Sequence, residues 1–150
     1  MAKVMRKILL AMVLMAGIQA ANAFEFDGIN LNLPFIKVSQ EISKRGYYFD
    51  SEKNCLRGIC QGTEIYLRIN YTDVSKRGML GQLVVEVPMQ SRTRSLGEVV
   101  TLLNVIYHQV ARTDEAVTYA VDKDGTQLMV SQRGDSYFLT YNTPYYKARR

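Results

Sequence analysis

The chain has 150 residues, 47% hydrophobic and 22% charged, with ten Gly, three Pro and a formal net charge of +5. That is the size of one domain, and such ordinary hydrophobicity and charge exclude a disordered or collagen-like chain. Two cysteines exclude a disulfide-dense miniprotein.

Lys3, Arg6 and Lys7 precede the uncharged apolar run Ile8 to Ile18, and small residues then lead to Ala21-Asn22-Ala23. A charged n-region, an apolar core and an A-x-A site are the parts of a secretory signal peptide. The run is too short for a transmembrane anchor, which needs about 20 apolar residues. No cysteine follows it to accept a lipid. Residues 1–23 are therefore expected to be removed after Ala23, with Ala21 and Ala23 as the cleavage residues. The mature chain keeps sixteen basic residues against fourteen acidic, a net charge of +2. That small charge, like export, argues against nucleic acid as a partner. The expected division is signal peptide 1–23, a single domain 24–143 and a basic tail 144–150.

The first helix is expected over 33–46. Pro34 suits a first turn, Asn32 a cap, and Gly46 a left-handed stop. Phe35, Val38 and Ile42 share one face. Tyr47–Phe49 reads as a short strand before Asp50–Asn54. Thr63 to Tyr71 alternates Ile65, Leu67 and Ile69 against Glu64, Tyr66, Arg68 and Asn70, and Met79 to Met89 continues with Leu83, Val85 and Val87. Asp73 to Gly78 is the polar turn between them. Ser95-Leu96-Gly97-Glu98 is a capping box, and its helix is expected to run to about Arg112, more deeply buried than the first. Ala116–Val121, Thr126–Ser131 and Ser136–Tyr141 then read as strands. Asp122–Gly125 and Gln132–Asp135 separate them with hairpin-turn compositions.

The order is helix then meander, twice. Tyr47–Asn54 echoes Val117–Gly125, and Glu64–Asn70 echoes Asp135–Asn142. A degenerate duplication and a convergence of ordinary hairpins both account for the echo. The expected fold is α+β: one domain, an antiparallel sheet of about six strands, and two helices packed on one face. This element order resembles that of small exported α/β repeat modules, such as the β-lactamase-inhibitor-protein architecture and small outer-membrane assembly lipoproteins. The resemblance implies a sheet that binds another protein.

Cys55 and Cys60 form an even pair in an exported chain, which favours a disulfide. In one extended strand residues five apart stand about 16 Å from each other, and a bridge needs Cα atoms within roughly 7 Å. A bond therefore requires Leu56-Arg57-Gly58-Ile59 to turn back. The internal echo instead makes Asp50–Asn54 the turn and Cys55–Cys60 a strand. C-x4-C is not the C-x-x-C of thioredoxin-like redox sites.

The search for chemistry finds no motif for a nucleotide, a metal or a nucleophile. His108 stands alone on the expected second helix, where a metal site needs three or four ligands. Glu64, Glu86 and Glu98 are scattered over separate elements, and Arg133-Gly134-Asp135 is explained as a turn. Neither a catalytic residue nor a cofactor is expected.

Tyrosine is the compositional excess, ten residues in all. Tyr66, Arg68, Tyr137 and Tyr141 are the candidate interface, read as alternating with core residues along their strands, because Tyr and Arg serve as anchors in protein interfaces. Lys147, Arg149 and Arg150 offer weak contact to an anionic envelope surface. The function expected is an exported, non-catalytic module binding a protein in the manner of an inhibitor or immunity factor. A secreted enzyme and a binder of envelope polymer or lipid are the alternatives. The first step is directly checkable: N-terminal sequencing of the chain recovered from the cell envelope should begin at Phe24, and material beginning at Met1 would overturn export.

Overall fold

The computed structural model describes residues 25–60, 62–71, 78–88, 96–121 and 125–146. The expected signal segment with Ala21 and Ala23, most of the turn at 73–78, Ser95 of the capping box, and Lys147, Arg149 and Arg150 lie outside them. The described chain opens with a hairpin, β1 (Glu25–Phe26) and β2 (Ile29–Asn30). Asp27 and Gly28 take φ of 50° and 76° at its two turn positions. Positive φ at both is the type I′ turn that Asp-Gly favours, because its twist matches that of the strands. The sequence reading passed over this hairpin, which drives Phe26, Ile29 and Leu31 into the core.

Helix α1 spans Phe35–Lys44, with Pro34 at its N-cap. The Pro34 carbonyl accepts from Lys37 and Val38 N–H at 2.9 and 3.1 Å. Asn32 is not the cap. Its own N–H donates to Asn30 Oδ1 at 2.7 Å, which leaves the helix start to proline. Gly46, at φ 88°, closes the helix by donating to Ser43 O at 3.0 Å. Val38 and Ile42 are buried and Phe35 packs against the core.

Among the described residues the main sheet is antiparallel and has eight strands, not six. They are β3 (Tyr48–Asp50), β4 (Cys55–Cys60), β5 (Thr63–Tyr71), β6 (Leu80–Pro88), β7 (His108–Arg112), β8 (Ala116–Ala120), β9 (Gln127–Arg133) and β10 (Ser136–Asn142), in spatial order β3-β4-β5-β6-β10-β9-β8-β7. Helix α2 (Leu96–Ile106) precedes β7. Each helix thus leads a meander, β3 to β6 and then β7 to β10, and the two meanders join through β6 and β10. By position β3 corresponds to β7 and β5 to β9, so the sequence echo was one strand out of step.

Its cause is β7. Helical spacing through Tyr107 and Val110 carries the expected helix to Arg112, but α2 stops at Ile106. Tyr107 N–H makes a last bond to Leu103 O at 2.8 Å. Tyr107 then turns inward, 6.4 Å from the Tyr119 ring. Residues 108–112 satisfy their backbone against β8 instead, with a bulge between Gln109 and Ala111. His108 is therefore on an exposed edge strand, not a helix. Val110, which helical spacing put on the apolar stripe, is 46% exposed.

The other added strand is β4, and it corrects the disulfide. Cys55 and Cys60 are free, buried thiols on a single strand. Five residues along a strand not only separate them but aim their side chains at opposite faces. The turn lies before them: Asp50 Oδ1 accepts from Glu52 and Lys53 N–H at 2.9 and 3.2 Å, and Asn54 takes φ 54°. Gly58 extends the strand beneath Tyr47, whose Cδ1 would stand 2.2 Å from a Cβ there. No larger residue fits under that ring.

Ile65, Leu67, Leu83, Val85, Val130 and Leu139 share one side of the sheet, and one core cluster joins them to Val38 and Ile42 of α1 and to Val100 and Leu103 of α2. Burial, then the charge of Asp27, pushes the Cys60 thiol up to about 12, and burial raises Cys55 as well. Both should therefore resist alkylation in the native protein and label fully on unfolding. The unreduced chain should have the mass of two thiols, and a mass two hydrogens lower would overturn the single-strand placement.

Candidate functional site

Period-two alternation assigns the residues between the core positions to the sheet's second side. One row across it runs Tyr48, Arg57, Tyr66, Glu86, Phe138 and Ser131, each paired with the next. A neighbouring row holds Arg68, Val84, Thr140 and Met129. A third holds Asn70, Gln82 and Asn142, whose amides donate in series at 2.9 Å each.

Glu86 is the electrostatic centre of this side. It is only 8% exposed, yet its carboxylate accepts from Arg68 Nη1 at 3.0 Å and Ser136 Oγ at 3.0 Å, with Lys53 Nζ 3.6 Å away. Burial pushes its carboxyl up. The hydrogen bonds from Arg68 and Ser136 and the charges of Lys53 and Arg68 together outweigh that push and hold it below the ordinary carboxylate range. A second network lies beside it. Arg57 bridges Asp50 at 3.3 Å and Glu64 at 2.8 Å, and Tyr66 donates its hydroxyl to Glu64 at 3.0 Å. Lys53 Nζ sits 4.0 Å from the Tyr66 ring centre, a cation–π contact.

Of the four expected interface residues, only Tyr66 and Arg68 lie on this side. Tyr137 and Tyr141 are 0% and 3% exposed and belong to the core. Tyr137 stands opposite Val87 and Tyr141 opposite Leu83, while Phe138 faces Glu86. The echo had aligned Tyr66 with Tyr137, one residue off, and a slip of one exchanges the faces. Tyr141 packs 6.3 Å from Phe26, and burial pushes its hydroxyl far above the usual phenol range. Tyr66 is itself only 8% exposed beneath Lys53. It supports the cations above it. Two residues missed by the sequence reading complete the patch: Tyr48, 57% exposed, and Phe138, half-buried with the Arg133 guanidinium 5.4 Å from its ring centre. The signal for Phe138 was its place between Tyr137 and Leu139, on the opposite side of the strand.

Arg133-Gly134-Asp135 forms a hairpin, with Arg133 paired to Ser136 and Gly134 at φ 58°. Among the described residues no group of His, Cys, Asp and Glu side chains could hold a metal ion, and no helix is long and apolar enough to cross a membrane. On the core side the half-buried Asp27 lies near the buried Tyr47 and Cys60. Burial raises Asp27, and Arg45 and Tyr47 partly offset it. Comparison with family models, curated proteins and solved structures finds no match to this chain.

The pairing around Glu86 makes a pH-dependent prediction. A carboxylate held low in the fold contributes stability above its unfolded pKa, and that contribution is lost as pH falls through the folded value. Lys53 and Arg68 are 45% and 38% exposed, so solvent screening reduces its size. Glu86→Gln should cost about 1–2 kcal/mol at neutral pH by urea unfolding, and the gap to wild type should narrow below about pH 4.

Proposed function

We propose that this chain is an exported, non-catalytic binding module whose protein partner docks on the side of the sheet that carries Glu86, with both helices covering the other. The observation that carries this reading is the row from Tyr48 through Arg57 and Glu86 to Phe138, in which aromatic and charged side chains stand on adjacent strands and are held by mutual ion pairs. Groups fixed before binding lose little freedom on binding, which makes them effective anchors. Tyr and Arg are also the residue types that dominate interface energetics. The half-buried Val84, Met129 and Phe138 supply apolar area between them. An inhibitor or immunity factor of the periplasm or outside the cell fits such a surface and the expected leader.

The test uses the mature chain from Phe24 as bait in envelope extract, followed by titration of the partner it retains. Arg68→Ala and Phe138→Ala should each weaken binding by about 2 kcal/mol or more while the protein stays folded by circular dichroism. Tyr137→Ala should instead lower stability by about 3–5 kcal/mol through the cavity it leaves. Unchanged affinity in both surface variants would sink the reading.

A further inference from the structure

A cleft of about 810 Å³ opens between α1 and strands β3 to β5. Its size lies within the roughly 300–1,000 Å³ of small-molecule sites. Ile42 and Leu67 form a buried floor, and Phe35, Leu56 and Ile69 form half-buried apolar walls. The helix contributes Phe35, Ser39 and Ser43, four residues apart on one line. Large side chains at 39 and 43 would fill the space between helix and sheet, and the two serines leave it open. Lys53 and Arg68 also line the cleft. Both approach Glu86, at 3.6 and 3.0 Å, but Glu86 is not among the described lining residues and neither is any other carboxylate, so the charge presented to the cleft is cationic.

We propose that the cleft binds a single-chain amphiphile with a monoanionic head, a long-chain fatty acid. Its tail lies against Phe35, Leu56 and Ile69, and its carboxylate meets Lys53 and Arg68. The apolar lining selects a hydrocarbon chain, because each methylene taken out of water is worth about fourfold in affinity. Two cations and no carboxylate in the described lining select an acid over an alcohol or an amine. This inference does not depend on a protein partner docking on the sheet.

The test is calorimetric titration of the mature protein with oleate below its micelle concentration, alongside oleyl alcohol and saturated acids of decreasing length. Oleate should bind one to one. Affinity should fall about fourfold per methylene as the acids shorten, and both oleyl alcohol and Lys53→Gln should cost about threefold to fivefold. Ser39→Phe should close the cleft and abolish binding, with circular dichroism checking that the variant folds. If it does not fold, the chain-length series in the wild-type protein decides alone. The proposal fails if oleate gives no saturable binding or if chain length has no effect. It also fails if a folded Ser39→Phe binds as well as wild type, or if the alcohol matches the acid. None of these outcomes bears on whether Phe138→Ala weakens a protein complex.

Discussion

Strands β6 and β10 lie side by side from Ser136 opposite Pro88 to Asn142 opposite Gln82, and theirs is the pairing through which two meanders become one sheet. A register error of one residue here would turn Leu83, Val85 and Val87 outward and bring Glu86 into the core. The two faces guard against that slip in different ways. Leu139 and Tyr141 oppose Val85 and Leu83 on the apolar side. On the polar side Ser136 donates to Glu86, and Gln82 donates to Asn142. Just beyond the strand the Thr143 hydroxyl donates to the Leu80 carbonyl, and its N–H reaches Gly81 O at 3.0 Å. Burial drives the pairing, and polar bonds at both ends fix which residues meet.

Legibility in the sequence followed the strength of local periodicity. β5, β6, β8 and β10 were readable because alternation persists over five or more residues, and α1 because Phe35, Val38 and Ile42 leave one consistent face. β7 was not readable. His108–Arg112 holds one β-branched residue, and five residues cannot separate a helical continuation from an edge strand. The hairpin at Asp27-Gly28 did carry a strong local signal, overlooked because each strand is only two residues long. Half of the candidate interface failed for a different reason. Which face a tyrosine takes depends on register relative to neighbouring strands, and that is a tertiary property. Tyr137 and Phe138 are equally suited to a strand in isolation.

The cysteines show how a compartment argument and a geometric one can pull apart. A pair five residues apart, in a chain whose first residues read as a leader, invites a bridge, but the strand needs Leu56-Arg57-Gly58-Ile59 extended to meet Glu64–Leu67. Turning that segment back would remove those ladder bonds and pull Gly58 from beneath Tyr47. A loop this short offers a disulfide only modest entropic stabilisation in return. Extended pairing wins, and each thiol is protected by burial on its own side of the sheet.

The turn from Asp50 to Asn54 then carries more of the chemistry than its sequence suggests. Asp50 organises it by accepting backbone N–H groups and also binds Arg57, so the turn and the first ion pair share one carboxylate. The same turn projects Lys53 over Tyr66 and toward Glu86. Lys53 is thereby fixed from below by a ring and from the side by a carboxylate, and it stays 45% exposed. A lysine so held loses little entropy on meeting an anion, unlike one free on its stem. It stands where the polar side of the sheet meets the cleft beside α1. Because the carboxylates that balance Lys53 and Arg68 lie outside the described lining, an anion arriving in the cleft meets the two cations first.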